Sequence, residues 1–458
     1  MLKNPRKLKR LLGDEGLAFL QHALNAPTRL LPHTKLEEWT VEWDGTVKSG
    51  ATYRGSDRRA LNLSLQLNLP NSQSTIKCAL RAKLERKTAQ GVGRSIPRTL
   101  DDRELDLCRR VLHRTTDILR GSGAASTSES LRAIRAAFDE QIVAAHLKDF
   151  HKLHLDVAEV LSAMRELAGQ SYENKSITFG CLLDQNSNEE PDRNGIFPQA
   201  IRDQKKYRAL TDGFRTAYRV SSFGRIIGFE DCIDTPQAHG RHYFPEWCAH
   251  LAAASHKGVC GLCLTRHGDI LVLNAGTLRF TCRFGRWRYW NHTHIIDLLR
   301  SRARVQKVAP KIVGAVVNAI YRAALDVSFR RSGGLFVLLK RRMNLRKIVV
   351  NGDAIEDERR SDVDNTFDGA LPSQKIQTMP PCVTNELAGL DGAIVLDNTG
   401  TIRAYGAVLR PERAGRIRAT EGSRTKAAIG ASYCGLSVKV SSDGDITCYE
   451  NGKSFLNI

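Results

Sequence analysis

The chain has 458 residues and a formal net charge of +20, because 69 lysines and arginines outnumber 49 aspartates and glutamates. A hydrophobic share of 41% and a charged share of 26% exclude a wholly disordered chain. The basic charge favours anionic partners such as nucleotides, nucleic acid or acidic surfaces. No apolar run has the length that spans a bilayer, so we expect no membrane partner.

The eleven cysteines form no dense framework, and several lie in apolar, strand-like runs such as VCGLCLT and DITCYE. This usage is typical of a reducing compartment and predicts a cytoplasmic protein. The basic start, MLKNPRKLKRLLGDEG, has no apolar core of the signal-peptide type and is predicted to be a solvated helix.

Residues 1–125 are predicted to form a β-rich N-terminal region with flanking helices. Polar and apolar residues alternate over 36–86, as in ALNLSLQLNLP, which is typical of a β-meander. A helical pattern runs from 99 to 120, and GSGAASTS at 121–128 is expected to be a flexible break.

Residues 126–304 are predicted to form a helical segment, to about 169, followed by an α/β middle domain that would act as a sensor. The stretch CGLCLTRHGDILVLNAGTLRF at 260–280 resembles CGLSVKVSSDGDITCYENGKSF at 434–455. Each gives a strand, a G-D-I turn, a second strand and a further glycine. The two stretches are either a duplicated hairpin or hairpins that arose independently.

Residues 305–458 are predicted to form the last domain, with Pro310 near its edge because proline continues a helix badly. Helices alternate there with the apolar strands GGLFVLL, GAIVLD, TIRAYGAVL, GLSVKVS and DITCYE. This order predicts a mixed sheet flanked by helices, so the fold class is α/β, preceded by α+β regions.

Asp391, Gly392 and Ala393 stand at the start of one of these strands. A carboxylate at a strand end can hold a metal or orient a hydroxyl, and glycine lets a ligand approach the backbone. An isolated Asp-Gly pair is usually only a turn, so this motif is weak without a second one.

The second motif is EGSRTKAAIGASYC at 421–434, which reads as a loop that turns into a helix. Backbone N–H groups at a helix start bind anions, and the hydroxyls of Ser423 and Thr425 can donate to phosphate oxygens. Arg424 can bridge two oxygens, and Lys426 adds a point charge. Cations oppose the dipole at a helix N-terminus, which favours an anion site over a plain solvated first turn.

Taken together, DGA and GSRTKAA resemble the diadenylate cyclase domain of the DisA and CdaA kind, whose members carry Asp-Gly-Ala and then GTRHRAA about thirty residues on. AALDVSFRRSGGLFVLLKR, before the first motif, and VKVSSDGDITCYENGK, after the second, are similar to the family's flanking elements. The resemblance covers about the last third of the chain. It implies that two such domains face each other as a homo-oligomer and condense two ATP to cyclic di-AMP and pyrophosphate, with Mg²⁺ or Mn²⁺.

The resemblance also implies roles for particular residues. The implied catalytic residues are Asp391, Arg424 and Lys426, and the implied metal ligands are Asp391 and Asp443. The implied nucleotide contacts are Gly392, Ala393, Leu409, Gly422, Ser423, Arg424, Thr425, Lys426 and Ser441.

The sequence departs from the family at its arginine-histidine-arginine motif, which is Arg424-Thr425-Lys426 in this chain. Lysine keeps the charge of the last arginine but loses its two-pronged geometry. Two functions therefore remain open: an active diadenylate cyclase, and a degenerate domain that senses a nucleotide or cyclic dinucleotide.

A nucleic-acid-binding regulator is the third hypothesis. RFTCRFGRWRYW at 279–290 interleaves cations with aromatic residues, which suits base stacking but equally suits a strand with an aromatic inner face. Cys260 and Cys263 form a C-x-x-C whose alternatives are a zinc site and two core cysteines.

Overall fold

The computed structural model describes residues 2–3, 5–32, 34–45, 47–53, 60–70, 75–86, 100–121, 128–191, 197–203, 205–233, 243–256, 258–355, 361–410 and 422–458. The chain divides into two compact units. The N-terminal unit comprises Met1–Lys87, Pro97–His242 and Cys248–Trp290, and the C-terminal unit comprises Thr88–Ile96, Tyr243–Trp247 and Asn291–Ile458.

The N-terminal unit combines helices with two larger sheets and one small hairpin. Its described helices are α1 (Arg6–Leu24), α2 (Ala26–Leu30), α3 (Asp102–Gly121), α4 (Ser128–Phe150), α5 (Val157–Ala168), α6 (Gln199–Asp203), α7 (Lys205–Arg208) and α8 (Ala249–Ala254). Its described strands are β1 (Thr34–Leu36), β2 (Thr40–Trp43), β3 (Gly50–Tyr53), β4 (Ala60–Pro70), β5 (Thr75–Arg86), β6 (Ser171–Tyr172), β7 (Lys175–Ser176), β8 (Phe179–Asp184), β9 (Thr216–Ser221), β10 (Ile226–Asp231), β11 (Val259–Leu264), β12 (Ile270–Asn274), β13 (Thr277–Arg283) and β14 (Arg286–Tyr289). A 3₁₀ turn, Glu246–Cys248, precedes α8.

The first sheet has the strand order β1-β5-β4-β3, and β2 also pairs with β5. Its centre is the long antiparallel hairpin of β4 and β5. The leucines at 61, 63, 65, 67 and 69 are all buried, because successive side chains of a strand point to opposite faces and these five share one face. The alternating pattern predicted strands here, and the structure confirms them.

A buried ion pair joins the end of this sheet to α3. Arg86 on β5 donates to the carboxylate of Glu104, and both side chains are almost fully buried. Burial raises the pKa of Glu104, and the nearby charge of Arg86 opposes that rise.

The second sheet of this unit has seven strands in the order β10-β9-β8-β11-β12-β13-β14. The pair of β8 and β9 is parallel and the other pairs are antiparallel. Every residue of β8, β11 and β12 is buried, as expected for central strands that are covered on both faces.

The C-terminal unit is built around one six-stranded sheet. Its described helices are α9 (His292–Val305), α10 (Val313–Arg330), α11 (Asp362–Ala370), α12 (Pro381–Gly389) and α13 (Ser423–Ala431), with a 3₁₀ turn at Leu345–Lys347. Its strands are β15 (Gly334–Leu339), β16 (Ala393–Leu396), β17 (Ile402–Ala407), β18 (Gly435–Val440), β19 (Ile446–Glu450) and β20 (Lys453–Asn457).

The order of this sheet is β17-β16-β15-β18-β19-β20, and only β15 and β16 run parallel. Small residues of α13, Ala428 and Ala431, belong to one apolar cluster with Val337 and Val395 of the central strands. Helix α10 packs on β15, β18 and β19, and α12 packs on α10 and on β15, β16 and β17. The predicted α/β class with a mixed, helix-flanked sheet is confirmed.

The polar segment 351–375 has the composition of a loop but contains α11, which begins with a reciprocal capping box between Ser361 and Asp364. The break predicted at 121–128 lies mostly outside the described residues. The domain boundaries predicted after 125 and after 304 stay predictions; the C-terminal unit itself includes α9, which packs on α10.

Candidate functional site

The topology of the C-terminal sheet brings both sequence motifs to one edge. Strands β15 and β16 are parallel, so both begin at that edge, while β17 and β18 run the other way and end there. Asp391, which precedes β16, therefore lies next to Gly333, which precedes β15, and next to the residues that follow β17. The residues that follow β18 lie at the same edge on the other side of β15. Helix α13 also begins at this edge, because the helix ends just before the start of β18 at the opposite edge and its first-turn Arg424 lies beside Gly333.

Asp391 and Arg424 are brought together at this edge. Nη2 of Arg424 lies 3.4 Å from Oδ1 of Asp391, across 33 positions of sequence. The Asp391 side chain is fully exposed and that of Arg424 is about one-third exposed. Exposed ion pairs of this kind contribute about 0–1 kcal/mol to stability, so either side chain can leave the other at little cost.

Two glycines make room for this arrangement. Gly392 has φ +120°, and a Cβ there would lie 2.4 Å from the carbonyl carbon of Gly406 on β17. Gly333 has φ +70°, and a Cβ there would lie 2.3 Å from Nη1 of Arg424. Gly392 is required by its backbone conformation and by the backbone atoms of β17, whereas Gly333 is favoured by its positive φ and faces only the movable end of an arginine side chain. Gly392 of the DGA motif therefore has a structural reason besides any ligand.

Among the described residues no side chain caps the first turn of α13, and this turn holds no acidic residue. Its N-cap is Gly422, which accepts the first helical hydrogen bond from the Lys426 N–H at 3.0 Å. Ser423 and Arg424 follow directly, so the cations predicted from the sequence stand in this turn. An N-terminus with uncapped N–H groups carries partial positive charge and suits an anion.

Lys439 is a site residue that the sequence analysis missed. It lies on β18, and its Nζ donates to Oγ1 of Thr425 at 3.1 Å, so a further cation stands beside the first turn of α13. A lysine within the otherwise apolar run GLSVKV is the signal that could have found it.

Ser441 and Asp443 lie in the turn that connects β18 to β19. The Ser441 hydroxyl accepts a hydrogen bond from the Asp445 N–H at 3.0 Å and so stabilises this turn. The Asp443 side chain is exposed at the tip of the turn. Both residues follow the end of β18, at the edge of the sheet where Asp391 lies. Their contacts with a nucleotide or a metal stay predictions.

Leu409 and Ala393 occupy apolar positions. Leu409 is 8% exposed and belongs to the same cluster as Ala428 of α13, while the neighbouring Val408 is 61% exposed. Ala393 is buried at the start of β16 and pairs with Ala407. Burial leaves Leu409 little surface for a base or ribose, so its predicted contact depends on movement in this region.

The described residues contain no group of three or more His, Cys, Asp or Glu side chains that could hold a metal ion. Cys260 and Cys263 are both buried in β11. Residues three positions apart on a strand point to opposite faces, so these two thiols do not share a ligand. Burial raises the pKa of Cys260 to about 12 and also that of Cys263, which keeps both protonated as core residues.

The aromatic stretch at 279–290 forms β13 and β14 and ends at Trp290. The aromatic side chains at 280, 287, 289 and 290 are at most 4% exposed, and only Phe284 is largely exposed among the aromatic residues of this stretch. Buried rings do not stack on bases, so the interpretation as a strand with an aromatic inner face is confirmed at these positions.

In the part of the chain that the structure describes, no helix combines the length and apolarity needed to cross a bilayer.

No family model matches this sequence, and no curated protein matches it. Among solved structures, the chain is similar to a hypothetical membrane spanning protein from Bacillus cereus, with 18% identity and a TM-score of 0.25 over 36% of this chain and 74% of the other. It is also similar to a double mutant of DacA from Staphylococcus aureus, with 20% identity and a TM-score of 0.21 over 31% of this chain and 86% of the other. Identities and scores of this size establish no family for this chain.

Proposed function

We propose that the C-terminal unit binds a nucleoside triphosphate at the edge where β15 and β16 begin, and condenses two ATP to cyclic di-AMP. The observation that carries the proposal is the approach of Arg424 to Asp391, 3.4 Å apart, at the N-terminus of α13. A cation for phosphate and a carboxylate for a hydroxyl are the two groups that a nucleotidyl transfer needs side by side.

Phosphate binding is supported by the cations at the start of α13 and by the weak ion pair through which Arg424 can change its partner from Asp391 to phosphate. Arg424 presents a planar fork that can donate to two phosphate oxygens, and Lys426 and Lys439 add point charges at the same helix start. The pair with Asp391 is exposed and weak, so an arriving triphosphate can take the guanidinium from the carboxylate.

The chemical step is a displacement at phosphorus. Asp391 orients the ribose 3′-hydroxyl of one ATP and accepts its proton, while the hydroxyl oxygen bonds to the α-phosphorus of the other ATP. The bond between this phosphorus and its bridging oxygen breaks, and pyrophosphate leaves with the electron pair. A reciprocal attack releases a second pyrophosphate and closes the ring, so each domain supplies one ATP and two copies of the domain must meet.

A divalent cation fits the donors that the chain offers. Mg²⁺ is typically held by one or two carboxylates together with substrate phosphates and water, and does not need a full protein cage. Asp391, with its fully exposed carboxylate, is the proposed protein ligand, and Asp443 is the second. Bound Mg²⁺ or Mn²⁺ would neutralise charge on the phosphates.

The alternative function is a sensor that binds a nucleotide or a cyclic dinucleotide without turnover. One specific observation favours it: Thr425 replaces the histidine of the family motif, and its hydroxyl already accepts a hydrogen bond from Lys439. Phosphate binding tolerates this change more easily than catalysis, since a displacement of about 1 Å can cost roughly 100-fold in rate.

The test is to incubate the full chain with ATP and Mg²⁺ or Mn²⁺ and to measure cyclic di-AMP and pyrophosphate. Asp391→Asn should abolish product while largely sparing ATP binding. The matched control is Asp397→Asn, which changes the same charge at the opposite end of β16, about 20 Å away, and keeps an oxygen for the Thr399 and Thr401 N–H groups. Tight binding without product supports the sensor, and absence of both overturns the proposal.

A further inference from the structure

The N-terminal unit contains a sheet with the same topology as the C-terminal sheet. The strand order β10-β9-β8-β11-β12-β13 corresponds term by term to β17-β16-β15-β18-β19-β20. In both sheets the pair formed by the second and third strands of this order is parallel, and the other four pairs are antiparallel. Agreement in strand order and direction does not by itself demonstrate a duplication, because unrelated proteins share such topologies.

The irregularities of the two sheets also coincide. The register of β9 and β10 shifts between the pairs Val220–Ile226 and Arg219–Gly228, and the register of β16 and β17 shifts between Leu396–Ile402 and Val395–Ala404. Val220 and Leu396 are 176 residues apart, as are Ile226 and Ile402.

A second shift repeats the same spacing. It lies between Val272 and Leu273 on β12, and between Cys448 and Tyr449 on β19, again 176 residues later. Bulges are specific features that persist within a family, so two bulges at matching positions are strong evidence of common origin.

The turns that follow β11 and β18 share their hydrogen bonds. The Thr265 N–H donates to the Asp269 carbonyl at 2.9 Å, and the Asp269 N–H donates to the Thr265 hydroxyl at 3.1 Å. The Ser441 N–H donates to the Asp445 carbonyl at 2.9 Å, and the Asp445 N–H donates to the Ser441 hydroxyl at 3.0 Å. A glycine with positive φ completes each turn.

We propose that the chain holds two copies of one fold, 176 residues apart, and that only the second copy binds the nucleotide, so that each chain carries one nucleotide site. The claim of one nucleotide site per chain rests on the proposed function. It is supported by differences between the two copies at the sheet edge where the second copy has Asp391.

The first copy has no carboxylate at the position of Asp391. Tyr218 and Ile394 occupy the same position, since each pairs with the third residue of its central strand, Cys181 or Phe336. Three positions before Ile394 stands Asp391; three positions before Tyr218 stands Arg215. A cation at this place cannot orient a hydroxyl or hold a metal.

The close backbone approach is also specific to the second copy. Thr216 occupies the position of Gly392, and its hydroxyl bonds to Asp212 at 3.2 Å. In the second copy an additional register shift between Ala393 and Val395 accompanies Gly406, which packs against Gly392. The first copy pairs regularly over the matching residues.

The helix that precedes the antiparallel strands, α8 before β11 and α13 before β18, carries cations only in the second copy. Helix α13 has nine residues and carries Arg424 and Lys426 in its first turn. Helix α8 has six residues, Ala249–Ala254, with the sequence AHLAAA, and holds no lysine or arginine. The described part of the first copy thus lacks a carboxylate at the Asp391 position and lacks the two cations of the helix start. A second copy of the chain must therefore bring the second ATP.

The test is the stoichiometry of binding to the full chain, measured by calorimetry with Mg²⁺ and an ATP analogue whose α–β bridging oxygen is a methylene. We expect one site per chain. The variant Arg424→Ala with Lys426→Ala should weaken binding at least about 100-fold, the loss expected for charge-assisted phosphate contacts. Arg215→Ala, an exposed change in the first copy, should leave affinity and stoichiometry unchanged.

Two sites per chain overturn the inference and leave the proposed function standing. A single site that survives the Arg424 and Lys426 changes overturns both the inference and the proposed location of the nucleotide. No binding by the wild-type chain overturns the proposed function as well. Circular dichroism of each variant establishes that it is folded. A loss of the binding heat in calorimetry then shows that the site is damaged and not that the chain has unfolded.

Discussion

Replacing Gly392 by alanine perturbs the point where the DGA motif meets β17. The new Cβ would lie 2.4 Å from the Gly406 carbonyl carbon, 2.5 Å from its oxygen and 2.7 Å from the Ala407 nitrogen. Carbon atoms pack best at about 3.5–4.0 Å, so the two strands must separate by about 1 Å. The atoms are backbone atoms, which cannot rotate away as a side chain does.

The cost has two parts. Overpacking a site of this kind costs about 1–3 kcal/mol, and holding a residue with a Cβ at φ +120° costs about 1–3 kcal/mol more. We therefore expect Gly392→Ala to destabilise the C-terminal unit by about 2–6 kcal/mol. Loss of the tight contact between β16 and β17 should also disturb the position of Asp391.

The assay is urea denaturation of the full chain followed by circular dichroism, analysed for more than one transition because the chain has two units. The matched control is Gly369→Ala in α11, where a Cβ would meet no atom within 4 Å and should be neutral or stabilising by up to about 1 kcal/mol. If Gly392→Ala unfolds at the same urea concentration as the wild type, the structural reason given for this glycine is wrong.

Three further predictions concern charges. Arg86→Met should destabilise the N-terminal unit by about 3–5 kcal/mol in denaturant titrations, because it leaves the Glu104 carboxylate buried and unpaired; adding Glu104→Gln should recover part of the loss. Burial, with smaller effects of nearby cations, lowers the pKa of His151 to about 4, below an unfolded value of about 6.5. Its unfolded form therefore gains a proton first as pH falls through this window, so His151→Leu should remove about 2.5 kcal/mol of the stability loss between pH 7 and pH 4.5. Lys439→Met should weaken ATP binding about tenfold in equilibrium dialysis, whereas unchanged affinity would exclude this lysine from the site.

The meeting of the two motifs was predictable from the sequence because the first turn of α13 carries cations at a position where they do not stabilise a helix. Cations at a helix start oppose the helix dipole, so stability alone does not select them. Lys439 was not predicted because a single lysine on an inner strand resembles an ordinary strand-edge charge. Helix α11 was missed because its residues are polar, although Ser361 and Asp364 have the spacing of a capping box.

The repeated fold was only partly visible in the sequence. The echo between 260–280 and 434–455 covers the three strands that form a meander in each unit. The other three strands and their turn show only scattered identities at this spacing, such as Gly224 with Gly400 and Ile226 with Ile402. These strands agree in pairing direction and in one bulge. Both are features of the backbone, and many different sequences can form them.

The central claim is that Arg424 of α13 and the Asp391 edge serve one triphosphate. Its most direct test is the dissociation constant of Mg²⁺-ATP for Arg424→Ala, with Arg403→Ala, on β17 near Asp397, as the matched control. We predict an affinity at least about 30-fold weaker for Arg424→Ala and a change of less than about twofold for the control. Binding by Arg424→Ala that equals the wild type would contradict the account.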